Sequence, residues 1–359
     1  MAVYTTIDDS GLFMETVLYS GDGAATQAIT TAFQPDFSWI KDRGVTAAHT
    51  LQDAVRGFAE DKKLSSNSAD AQNDASGATW GDYGSVTAVG ATSFTTTLGS
   101  QTPYQTNASG SNYVAWNWKA NGAGSLNEVG SIDSTVSVNT TSGFSIVQYV
   151  GDGGVSATIG HGLGVKPKMF VVKSLVADDW TVYNETDGAD YGMFWNNTAA
   201  KTNDSSYFND TEPTSTVFTI GTNGRVNDVG VTYIAYCWND ISGYSKFSSY
   251  TGNGNADGTF VYTGFKPAFA MCKQTNGAND WRMVTQNVNS RNTTSNEIDK
   301  NLYAQSNLAE SSTNVDFVSN GMKIRSSSTG INGSGDSYIY MAFAESPLVN
   351  SNGVPNNAR

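Results

Sequence analysis

The stretch NASGSNYVAWNW, residues 107–118, returns as NDVGVTYIAYCW at 227–238 and as NGSGDSYIYMAF at 332–343. Asn107, Gly110 and Tyr113 keep their spacing in Asn227, Gly230 and Tyr233, and again in Asn332, Gly335 and Tyr338. An N-x-x-G turn leading into large apolar residues at alternate positions reads as a tight turn feeding a core β-strand. Three occurrences in one chain predict three diverged copies of a β-rich unit of about 90 residues.

Four further markers recur in the same order. An aromatic-led turn appears as YSGDG (19–23), YVGDG (149–153) and YTGNG (250–254). Its Gly-Asp/Asn-Gly core tolerates positive φ, so a strand runs into a tight turn. A calcium loop would need alternating acidic residues and a closing Glu, which are missing. A proline run follows 16 to 18 residues later as FQPDFSWIK (33–41), VKPKMFVVK (165–173) and FKPAFAMCK (265–273). Proline suits a strand start, and the run behind it is apolar on both pleat faces, as in a strand covered on two sides. The closing lysines, Lys41, Lys173 and Lys273, are expected to cap those strands at a solvated end. The third marker is Asp179-Trp180 and Asp280-Trp281, with His49 at the matching place in the first copy. The fourth is LSSNSA (64–69), FWNNTA (194–199) and LYAQSNLA (302–309), with Asn67, Asn197 and Asn307 aligned.

These markers place modules at Tyr19–Lys119, Tyr149–Asp240 and Tyr250–Ser346. The intervening stretches read as a linker at 120–148 and a short one at 241–249, short enough to pack the second and third modules together. An N-terminal arm, Met1–Leu18, has no counterpart in the other copies, and a loose tail follows Pro347. Residues 51–64 have some helical propensity, but the equivalent segments are poor helices, so strand–loop–strand is expected. A segment unique to the first copy, Asp70–Ser93, contains Trp80 and Tyr83 and reads as an exposed loop.

Composition agrees. The chain of 359 residues is 38% hydrophobic and only 15% charged, with 37 Gly, 17 Tyr, 16 Phe and 8 Trp. Small polar residues and abundant aromatics suit short strands joined by tight turns. The fold class expected is all-β, antiparallel, with little helix. A net charge of −13 without a basic run argues against a nucleic-acid partner. No apolar stretch is long enough for a membrane helix, so no membrane span is expected, and no secretory leader is visible. Cys237 and Cys272 each sit in an apolar run and read as buried small hydrophobes, with a disulfide between them left open.

No metalloprotease, serine-hydrolase, phosphate-loop or C-x-x-C pattern occurs. No catalytic residue, metal ligand or cofactor site is therefore assigned. His49 reads as a lone hydrogen-bonded histidine, and His161 lies in the turn GHGLG (160–164). The repeated acids Asp22, Asp152, Asp179 and Asp280 form no obvious glycosidase pair. Trp180, Trp281, Trp80 and Tyr83 are the candidate glycan-stacking residues. For the two Asp-Trp tryptophans the core is the preferred location, because burial is the commoner fate of Trp in a β-module.

At the proline–lysine run and the N-x-x-G-x-x-Y marker the chain resembles a family of repeat-bearing, tail-fibre-like virion proteins of marine tailed bacteriophages. The likeness extends to YTTIDD (4–9), VLYSGDG (17–23), DAVRG (53–57), GFSIV (143–147) and GHGLGVKPK (160–168). It implies a non-enzymatic particle component built of β-sandwich modules, tail-associated and facing the host surface. It further implies a homo-oligomer contacting other virion proteins through the N-terminal arm, with host surface glycan as a candidate ligand. The alternatives are a capsid decoration or scaffold protein and a glycan-binding or depolymerising module.

Overall fold

A computed structural model describes residues 5–74, 78–286 and 296–345. Each module lays down the same inner sheet. Its opening strand (Met14–Ser20, Phe144–Val150, Ser245–Thr251) pairs with the closing strand (Asn112–Trp118, Thr232–Trp238, Ser337–Ala344). The closing strand pairs in turn with the proline strand (Phe37–Asp42, Met169–Ser174, Pro267–Gln274), which carries a fourth (Thr50–Asp53, Thr181–Asn184, Arg282–Thr285). All these pairs are antiparallel, and register repeats with the sequence: Tyr19 faces Tyr113, Tyr149 faces Tyr233 and Tyr250 faces Tyr338.

An outer layer completes each sandwich. It consists of Thr26–Thr30, Ser93–Thr97 and Val86–Gly90 in the first module, and Ala157–Gly160 with Val217–Ile220 in the second. In the third, the inner sheet continues through Glu297–Tyr303, Ser311–Val318 and Gly321–Ile324 to Phe260–Tyr262, curling into one eight-stranded sheet. Among the described residues the helices are single turns of three or four residues. The all-β, antiparallel, sandwich-like architecture is therefore as the sequence predicts.

The closing strands explain how three sandwiches become one body. Tyr233, Ala235 and Cys237 point into the second module's own interior. The alternate residues Ile234, Tyr236 and Trp238 point the other way, into a core they share with Val114, Trp116, Trp118, Ile339, Met341 and Phe343. Seven of the eight tryptophans lie in this shared core. Both faces of the inner strands are thus buried, which is why the proline strands Phe37–Asp42 and Met169–Ser174 are buried at every residue.

Several boundaries move. Tyr19, Tyr149 and Tyr250 mark where the opening strands near their ends; the strands begin five residues earlier, at Met14, Phe144 and Ser245. No shared residue type marks those starts, so the repeat is silent there. The expected arm Met1–Leu18 is consequently built into the first module: Ile7 and Met14 are buried in the shared core, and residues 1–4 lie outside the described residues. So does the tail beyond Pro347. The first linker forms Ser125–Asn127 and Ser134–Asn139, which extend the second module's sheet beside its opening strand.

Residues 51–64 hold no α-helix. Thr50–Asp53 is followed by a turn and a 3-10 turn, Glu60–Lys62, and Leu64 bridges back to Leu51. The Asp70–Ser93 segment departs from the exposed loop expected. Trp80 and Val86 are buried, and Val86–Gly90 is an outer strand.

Candidate functional site

The polar and aromatic residues common to the three copies serve the framework. Asn107, Asn227 and Asn332 are wholly buried. Each side-chain oxygen accepts the backbone N–H of the turn residue, Asp22 (3.0 Å), Asp152 (2.9 Å) or Asn253 (3.0 Å). Each amide nitrogen donates to a carbonyl two residues on, at Ala24, Gly154 or Asn255, 2.9 Å in every case. One side chain thereby satisfies backbone groups that would otherwise be buried unpaired. The clamp also dictates the leading glycine. A Cβ at Gly21, Gly151 or Gly252 would fall 2.2, 2.4 or 2.2 Å from the carbonyl oxygen of Ala108, Asp228 or Gly333.

The paired tyrosines act on the same turn. Tyr19 stacks on Tyr113, Tyr149 on Tyr233 and Tyr250 on Tyr338, with centroids 5.0, 5.1 and 4.9 Å apart. The Tyr113, Tyr233 and Tyr338 hydroxyls accept the N–H of Ala108, Asp228 and Gly333 at 2.9, 2.7 and 2.8 Å.

The lysines correct an expectation. Lys41, Lys173 and Lys273 cap no solvated end; all are fully buried. Lys173 donates to the Ser174 and Val176 carbonyls at 2.7 and 2.8 Å, and to Ala69 of the first module at 3.5 Å. Lys273 donates to Gln274 and Gly277 at 2.6 and 3.2 Å, and to Thr198 of the second module at 3.3 Å. The strand ends meet a neighbouring module where water was expected. Burial pushes the ammonium groups down, to about 8 for Lys41, about 7 for Lys173 and about 8 for Lys273.

The third and fourth markers dock on each other across modules. The Trp180 indole N–H donates to the Ser65 carbonyl (3.0 Å), and that of Trp281 to the Phe194 carbonyl (2.9 Å). His49 Nε2 lies 3.0 Å from the Tyr303 carbonyl. Backbone bonds beside them repeat the pattern: Gln72 N–H to Leu175, Lys201 to Thr275 and Glu310 to Arg43, each 2.9 Å. The first module thus grips the second, the second grips the third, and the third grips the first. The ring is closed.

This docking also corrects the alignment of the fourth marker. The amides that accept the backbone N–H of His49, Trp180 and Trp281 belong to Asn67, Asn196 and Gln305, at 2.9, 3.0 and 2.9 Å. Asn197 and Asn307 lie beyond them.

Trp39 fixes the state of His49. Its indole N–H donates to Nδ1 at 2.8 Å, so Nδ1 must be unprotonated and Nε2 carries the proton toward Tyr303. Burial, reinforced by Lys41, pushes the imidazole down to about 3. The unfolded chain then binds the extra proton throughout the interval from pH 6.5 down to 3. This contribution to stability is complete above pH 6.5 and is lost as pH falls through that interval. The His49→Gln variant is expected to flatten the acid limb of unfolding free energy against pH, measured by denaturant titration, by about 1–3 kcal/mol at pH 4. An unchanged slope would contradict the assignment.

Of the glycan-stacking candidates, Trp180 and Trp281 are 0% and 1% exposed and offer no face to a ligand. Trp80 is buried, with its carbonyl accepting from the buried Lys63 ammonium at 3.2 Å, and Tyr83 is half-buried beside it. Asp179 and Asp280 accept from Asn196 and Gln305 at 2.7 and 2.6 Å, holding the docking amides. His161 is buried, with Nε2 3.3 Å from the Thr214 carbonyl. Cys237 and Cys272 are buried free thiols, each pushed up by burial. Among the described residues there is no cluster of three metal-ligating side chains, and no helix is long and apolar enough to cross a membrane.

The exposed aromatic residues were missed from sequence. Phe260 and Tyr262 stand two apart on one outer strand. Only the alignment of outer strands, where the other copies carry small residues, could have signalled them.

No curated protein matches the chain. The profile of one family, described as Domain of unknown function (DUF7483), matches residues 9–347, spanning all three modules. With nearly its whole length covered, the chain belongs to the DUF7483 family.

Proposed function

We propose that this chain is a non-enzymatic structural protein of a tailed-bacteriophage particle, tail-associated and facing the host surface. The reading rests on the resemblance of its repeated motifs to tail-fibre-like virion proteins. The observation that carries it is the closed ring of modules, in which the repeated polar side chains hold strands, turns and seams together. A single chain supplies a three-part body closed on itself, which suits a load-bearing particle component. Contacts with other virion proteins and self-association belong to the same proposal.

The test is location. Antibody against the folded chain, applied to purified particles and viewed by electron microscopy, is expected to label the tail. Label on the head would transfer the protein to capsid decoration, and absence of the chain from purified particles would overturn the proposal.

A further inference from the structure

Among the described residues only two aromatic side chains are exposed, Phe260 at 44% and Tyr262 at 62%. In a chain with 41 aromatic residues, the sum of 17 Tyr, 16 Phe and 8 Trp, both stand on one face of one strand. Side chains two apart on a strand lie on the same side, about 7 Å from each other. Between them Val261 turns inward and is buried in the third module's core, so the strand is anchored while its rings face out.

The equivalent positions show that the fold does not require these rings. Val261 faces Met322, Ile159 faces Phe218 and Ile29 faces Phe94, which aligns the three outer strands. Phe260 then corresponds to Thr158 and Ala28, and Tyr262 to Gly160 and Thr30. In the second module the linker lies over this face: a Cβ at Gly160 would fall 2.5 Å from both the Asn127 side-chain amide and the Val129 carbonyl oxygen.

The surroundings form a platform. Tyr262 pairs with Gly321, which has no side chain to interrupt the surface. A Cβ at Gly321 would meet the Phe260 ring at 2.9 Å, so that ring lies over the glycine. Phe260 pairs with Lys323, and Lys323 with Asp316 on the next strand. Lys323 and Arg325 both pair with Asp257, at 3.0 and 3.1 Å, and Arg325 also pairs with Asp316 at 2.7 Å. Two cations and two carboxylates therefore balance at the rim, offering donors and acceptors without net charge.

We propose that Phe260 and Tyr262 are a stacking platform for a neutral polysaccharide. The rings take the C–H faces of successive sugars, while Lys323, Arg325 and Asp257 hydrogen-bond their hydroxyls. Aromatic faces carry partial negative charge and accept polarised C–H groups, and the balanced rim favours a hydroxyl-rich ligand over an ionic one. This deepens the host-facing reading and rests on it only for where the sugar is met.

The test is affinity electrophoresis of the purified full chain through gels containing a β-glucan, an α-glucan, a mannan or a galactan, with an acidic alginate as comparison. Retardation is expected on at least one neutral polymer. Tyr262→Ala should weaken it about tenfold, and the Phe260→Ala/Tyr262→Ala double variant should abolish it with the circular dichroism spectrum unchanged. No retardation on any neutral polymer overturns the proposal, as does retardation on alginate alone or retardation unchanged in the double variant. So does a double variant that dissociates an oligomer on size exclusion without changing retardation, which would assign the rings to a protein contact. Particle labelling decides the host-facing reading separately.

Discussion

Replacing Trp118 by alanine is expected to lower the stability of the whole chain by about 3–5 kcal/mol, in one transition. The side chain is 1% exposed and lies among rings from every module. Phe37 is 5.3 Å away within its own module, Phe144 and Trp238 of the second are at 6.5 and 6.4 Å, and Phe269 and Phe343 of the third at 6.2 and 5.8 Å. A void there removes contacts from all three inner sheets at once. Denaturant unfolding followed by tryptophan fluorescence and by far-ultraviolet circular dichroism should give coincident curves, displaced together in the variant. Separate transitions, or a shift in only one of them, would show that the modules fold independently and would sink the idea of a shared core.

The second large effect lies at the seam of the first and second modules. Asp53 and Arg56 form a fully buried ion pair, 2.6 Å apart, and the Tyr236 hydroxyl from the second module donates to Asp53 at 2.8 Å. Asp53→Ala strands a guanidinium without its counter-charge and is expected to cost about 3–5 kcal/mol. The triple replacement Asp53→Leu, Arg56→Met and Tyr236→Phe removes every charged member and should recover most of that loss, because well-packed apolar groups escape the desolvation penalty. Thermal melting of the two variants decides it. A cost below about 1 kcal/mol for the single change, or a triple variant weaker than the single, contradicts this account.

Much of the fold was legible because its constraints are local. The glycine of each turn, the Asn that clamps it and the Tyr that stacks behind it act within a few residues in sequence or across one strand pair, so each copy carries them independently. Burial of Trp180 and Trp281 was legible for another reason, since burial is the commoner fate of a large ring in a β-module. What lay beyond reach was the relation between copies. Lys173 looks like any strand-ending lysine until Ala69, 104 residues away, is seen to accept from it. The equivalence of Asn67, Asn196 and Gln305 is likewise set by which amide reaches the neighbouring backbone, and counting from an apolar anchor misplaces it by one or two residues. The opening strands begin with Met14, Phe144 and Ser245, which share nothing but their partner's register. The candidate site was not legible at all. Phe260 and Tyr262 belong to no repeated marker, and their meaning comes from what the other two copies put in the same place.

The register of the opening and closing strands has a directional consequence. Met14 pairs with Trp118, Phe144 with Trp238 and Ser245 with Phe343, and the Trp118 ring touches those of both Trp238 and Phe343. The stretch entering Met14, the two inter-module connections and the strand end at Ala344 therefore gather at one pole, where Phe13 also packs on Tyr244. The three clamped turns lie at the opposite pole. A fusion partner or tether added at that first pole would leave the turn pole unobstructed.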